Sequence, residues 1–90
     1  MKIHEAWLKC QISDGMFPGE YAVVSKTRDD RPFSFFASEG LINQAKNLVK
    51  IEVLREKSDS YIVYLPTDPL ENISRTIQVP KDQVKELALR

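Results

Sequence analysis

Leu48-Val49-Lys50-Ile51-Glu52-Val53-Leu54, the polar stretch Arg55-Glu56-Lys57-Ser58-Asp59-Ser60, and Tyr61-Ile62-Val63-Tyr64-Leu65 together decide how this chain folds. In the first run Val49, Ile51 and Val53 alternate with Lys50 and Glu52, the period of two that a half-buried strand produces. The last run is rich in β-branched and aromatic side chains, which fit a pleated surface, and Pro66 stops it. Two such runs joined by a short polar linker predict a β-hairpin. A lone hairpin is marginal in water, so the rest of the chain has to supply strands that cover its apolar face.

Working outward toward the start, Ile3 to Ile12 carries apolar residues at Ala6, Leu8, Cys10 and Ile12 and polar ones at Glu5, Lys9 and Gln11. This alternation predicts one continuous strand, with Trp7 as the single aromatic on its polar face. Ser13 to Glu20 contains Asp14-Gly15 and Pro18-Gly19, two pairs that tolerate tight-turn dihedrals, and so predicts a projecting loop. Tyr21 to Thr27 is apolar on both faces and predicts a central strand covered on each side. The linker Arg28-Asp29-Asp30-Arg31-Pro32 then returns the chain into Phe33-Ser34-Phe35-Phe36, a second hairpin.

Residues 38–47 are ambiguous between helix and strand. Leu41, Ile42, Ala45, Leu48 and Val49 have helical spacing behind a Ser38 cap, while Gly40 in the first turn opposes a helix. The expectation is one or two helical turns. Beyond the organising hairpin, Thr67 to Asn72 predicts a loop and Ile73 to Val79 a further strand. Pro80 ends that strand and can open a short helical turn, since its missing N–H costs nothing there. Val84, Leu87 and Ala88 would share one face of that turn.

The fold class is therefore all-β, a single small domain over residues 1–90 with five to six short antiparallel strands and one or two helical turns. Many short strands in so few residues favour a barrel, whose closure removes long unpaired edges. The closing Ile77-Gln78-Val79-Pro80-Lys81-Asp82-Gln83-Val84, a strand turned by proline that returns an apolar residue, resembles the end of an SH3-like barrel. The loop from Ser13 to Glu20 lies where such barrels carry their first, ligand-facing loop. An OB-like barrel is the alternative, because it too places a helix between its third and fourth strands.

A chain of 90 residues buries only roughly 60% of the surface its unfolded form exposes, enough for one small core. Lys plus Arg number 13 and Asp plus Glu number 13, a balance that argues against a general nucleic-acid binder while leaving room for a local patch. The lone Cys10 permits no internal disulfide, and no metal-ligand framework or phosphate-cradling glycine motif is present. No cofactor or metal is expected. There is no apolar run of signal-peptide or membrane-spanning length, so the expectation is a soluble, cytoplasmic protein with no membrane partner.

Catalytic candidates are few. His4 has Glu5 beside it in sequence, hence on the opposite face of a strand, and the sequence itself does not indicate what would orient it as an acid or base. Cys10 shares the apolar face with Leu8 and Ile12, where a thiol is inert core material. An enzyme therefore has no support beyond the existence of these two residues. The acidic residues Asp14, Glu20, Asp29, Asp30, Asp59 and Asp68 match no calcium-loop spacing.

Binding has more behind it. If Tyr21 and Val23 face the same side as Trp7, these three and Phe17 in the neighbouring loop form an aromatic surface, the kind through which another protein or a second copy docks. The opposing placement puts Trp7 under the terminal Val84, Leu87 and Leu89 as part of the core. A separate nucleic-acid reading uses Lys26, Arg28 and Arg31 around Phe33 and Phe35, cations flanking rings that can stack on bases. Asp29 and Asp30 weaken its field.

Overall fold

The computed structural model describes residues 3–71 and 74–87. The organising hairpin forms as the alternation predicts. Among the described residues it is part of a series of nine strands: β1 His4–Lys9, β2 Gln11–Asp14, β3 Glu20–Lys26, β4 Pro32–Ser38, β5 Ile42–Asn43, β6 Leu48–Glu56, β7 Ser60–Tyr64, β8 Thr76–Pro80 and β9 Val84–Glu86. Single 3-10 turns at Glu39–Leu41 and Lys81–Gln83 are the helical segments among the described residues. The protein is thus all-β. The expected helix over 38–47 reduces to one 3-10 turn, the two-residue strand β5 and a tight turn in which Asn47 adopts φ 57°. Gly40 and the competing pull of the β6 edge explain that outcome, since Ile42 and Asn43 pair with Val49 and Leu48.

The strands make two antiparallel sheets. The larger runs β8-β7-β6-β1-β9 with β5 added on β6, and the smaller runs β2-β3-β4. The stretch Ile3 to Ile12, read as one strand, is two. Cys10 is the corner between β1 in the large sheet and β2 in the small one, and its N–H donates to the Asn47 carbonyl at 3.0 Å. Ile73, assigned to a strand by its alternation, lies outside the described residues, as do Ala88 and Leu89.

Alternation then places the core. Ala6 and Leu8 of β1, Val49, Ile51 and Val53 of β6, Val63 of β7 and Ile77 and Val79 of β8 face inward from the large sheet. Val23 of β3 and Phe33, Phe35 and Ala37 of β4 meet them from the small one. The buried polar side chains are also bonded. Ser25 Oγ donates to the Lys9 carbonyl at 2.9 Å, and Ser60 Oγ accepts from Gln78 Nε2 at 2.7 Å.

The sheets remain open rather than closing into the barrel that strand economy predicted. Isolated bonds cross between them in place of a ladder: the Arg28 N–H donates to the Gln78 carbonyl on the β8 edge at 2.8 Å. The free edge of β4 is covered by the loop after β7, where the Leu70 N–H donates to the Ser34 carbonyl at 2.8 Å. Strand β3, expected to be covered on both faces, is covered on one. Its other face carries Ala22 and Val24 beside Phe36 of β4, with Val24 38% exposed.

Candidate functional site

The most exposed large apolar side chains in the turn-rich loop are adjacent: Met16 at 74% and Phe17 at 67%. They are held in place by backbone chemistry. The Gly15 N–H donates to the Glu20 carbonyl at 3.0 Å, the Glu20 N–H to the Phe17 carbonyl at 3.1 Å, and the Met16 N–H to Glu20 Oε1 at 3.1 Å. Gly19 takes φ 79°, a left-handed value that glycine adopts without the Cβ penalty, and its carbonyl accepts from the Glu39 N–H at 2.8 Å. The loop from Ser13 to Glu20 is therefore a tied turn that displays two apolar side chains to solvent.

Trp7 lies elsewhere. It is half-buried on the outer face of the large sheet, between its cross-strand partners Lys50 of β6 and Lys85 of β9. The Lys50 ammonium stands 5.4 Å from the indole centroid, a cation–π contact. Beside the ring is a recess of about 210 Å³ lined by Asn43, Lys46, Leu48, Lys85 and Glu86. Val84, one of the residues expected to lie over Trp7, instead packs on the core from the opposite face of β9. Leu87 is half-buried.

The four residues read as one surface do not share one. Val23 is fully buried in the core, opposite Ile12 and Phe35. Tyr21 is half-buried opposite Asp14 and Ala37 in the small sheet, whereas Trp7 belongs to the large one. The expectation failed because it assumed that β1 and β3 share a sheet, and the corner at Cys10 separates them.

The nucleic-acid set also changes character. Phe33 and Phe35 are fully buried and stack on each other, with ring centroids 6.2 Å apart and planes 10° off parallel, so neither ring is open to a base. Lys26 Nζ lies 3.4 Å from Asp30. Arg28 Nε donates to Asp59 Oδ2 at 2.9 Å, tying the β3–β4 turn to the β6–β7 turn. That bond pushes the Arg28 guanidinium above its ordinary pKa and the Asp59 carboxyl below its own. Arg31 is exposed and faces a shallow cleft of about 500 Å³ shared with Glu71, Ser74 and Gln78.

Neither catalytic candidate gains a mechanism. Burial pushes the Cys10 thiol up to about 12, and its Sγ donates to the Asn47 carbonyl at 3.5 Å. His4 Nε2 contacts Glu86 Oε1 at 3.0 Å across β1 and β9, at an exposed end of the sheet. Among the described residues no three of His, Cys, Asp and Glu gather as metal ligands, and no helix is long and apolar enough to cross a membrane. Met16, Lys50 and Lys85 were passed over in the sequence. Met16 adjoins Phe17 and could have been named with it, but the lysines become neighbours of Trp7 only through strand register. Compared with known proteins, the chain matches no protein-family model, no curated protein and no solved structure.

Proposed function

We propose that the chain is a non-enzymatic, SH3-like binding module that docks another protein through apolar side chains on its turn-rich first loop. Its kinship with SH3-like domains draws support from strand order. The meander β6-β7-β8 passes through a 3-10 turn into a last strand, β9, that pairs with the first, β1. The β2-β3-β4 sheet is an elaboration of the long connection between the first strand and that meander.

The observation that carries the docking role is the display of Met16 and Phe17. Leaving two large apolar side chains in water forgoes their burial, and a tied turn limits the entropy lost when a partner covers them. Methionine beside an aromatic ring also gives an adaptable contact surface. The test is affinity capture with wild type and with Met16→Ser/Phe17→Ser. Partners recovered by the wild type should be lost from the variant, which should keep the wild-type Trp7 emission and unfolding midpoint. An unchanged set of partners on the folded variant overturns the reading.

A further inference from the structure

We infer that the outer face of the large sheet docks on a second copy of this chain, in an isologous dimer independent of the Met16-Phe17 turn. Register sorts the charges on this face into rows. Lys85, Trp7 and Lys50 lie side by side across β9, β1 and β6. Two residues along, Glu5 and Glu52 stand directly opposite each other, with Tyr64 of β7 beside Glu52. Like charges directly opposite across a ladder are destabilising. Among the described residues, none of Glu5, Lys50, Glu52 and Lys85 makes an ion pair within the chain.

A surface that answers this one must carry the rows in reverse, and the chain itself does so. A two-fold axis running across the strands, midway between the rows, lays Lys50 of each copy on the partner's Glu52. It also brings Trp7 over the partner's Glu5. The contact is self-complementary, as a two-fold interface requires. It answers Glu52 with a cation in each copy and covers the half-buried Trp7. The molecule measures 37 × 35 × 18 Å, so its broad faces have room for the roughly 800 Å² per partner of a standard interface.

The experiment is sedimentation equilibrium at low salt over a wide concentration range, with Trp7 emission recorded on the same samples. Wild type should pass from monomer to dimer as concentration rises, with emission moving to shorter wavelength. Lys50→Glu/Lys85→Glu and Glu5→Lys/Glu52→Lys should each weaken association by more than about tenfold, because each makes both rows alike. Mixing these two variants should restore a one-to-one dimer, since their two rows then carry opposite charges. Four results overturn the inference: a wild type that stays monomeric, a dimer indifferent to both reversals, a mixture that stays monomeric although both variants fold, and a monomer whose Trp7 responds instead to a short single-stranded oligonucleotide.

Discussion

Cys10 shows how one residue's position sets its chemistry. It is the corner where the chain leaves one sheet for the other, packed on the core and bonded through its N–H to Asn47. Burial raises its thiol from 9.0 to about 12, so the thiolate fraction near pH 8 falls by roughly a thousandfold. A disulfide exchange reagent should therefore label native Cys10 more than about tenfold more slowly than the urea-unfolded chain, the greater nucleophilicity of a high-pKa thiolate offsetting part of the loss, and equal rates would contradict the shielded corner. Leu54 is the other residue with a positional role. The β6–β7 register shifts between Val53 and Arg55, so Leu54 is the extra residue of a bulge that lets the hairpin twist over the core.

At the level of elements, the tied turn and the covered edge each depend on a few atoms. A Cβ added at Gly15 would sit 2.6 Å from the Glu20 carbonyl oxygen and 2.8 Å from its carbon, both backbone atoms that cannot swing aside. Gly15→Ala should cost about 1–3 kcal/mol in urea unfolding, as overpacking does elsewhere, and speed exchange of the Glu20 amide. On the β4 edge, Glu71 accepts from the Ser34 N–H at 2.8 Å and the Ser34 hydroxyl at 2.6 Å. Partial burial pushes the Glu71 carboxyl up, but these two donors outweigh it and hold the group below its ordinary 4.5.

A carboxyl lowered by folding stabilises the native state above its unfolded pKa, and that contribution disappears as pH falls through the folded value. Glu71→Ala should lower stability by about 1 kcal/mol at neutral pH, the worth of a hydrogen bond, and flatten the acid limb below the ordinary carboxylate value of 4.5. A variant that loses stability as steeply in acid as the wild type would show that the clamp contributes nothing. Asp59 and Glu56, both lowered by their bonds to Arg28 and Lys81, act in the same direction.

For the whole molecule the question is whether two open sheets behave as one unit. They share a core and are joined by the corner at Cys10, with Phe35 of the small sheet packed in a cluster that includes side chains of the large one. Trp7 emission reports on the large sheet and amide exchange in β3 on the small one, so their unfolding transitions should coincide. Phe35→Ala should destabilise both together by about 3–5 kcal/mol, a large share of what a domain of this size holds. Separate transitions would make the small sheet an appendage.

By itself the sequence determined the all-β class, the central hairpin and most strand positions, because alternation and turn chemistry are local and Val49-Lys50-Ile51-Glu52-Val53 can be read without its neighbours. It also marked Phe17 as part of an exposed turn. Sheet membership was decided only in three dimensions. Apart from Trp7, Glu5 to Ile12 alternates through Cys10, and nothing local announces that Cys10 turns the chain from one sheet into another. That corner sends Val23, Phe33 and Phe35 into the core and parts Trp7 from Tyr21. It also leaves Trp7 between Lys50 and Lys85, residues 43 and 78 positions away, because cross-strand neighbours depend on register and register on which apolar faces bury together.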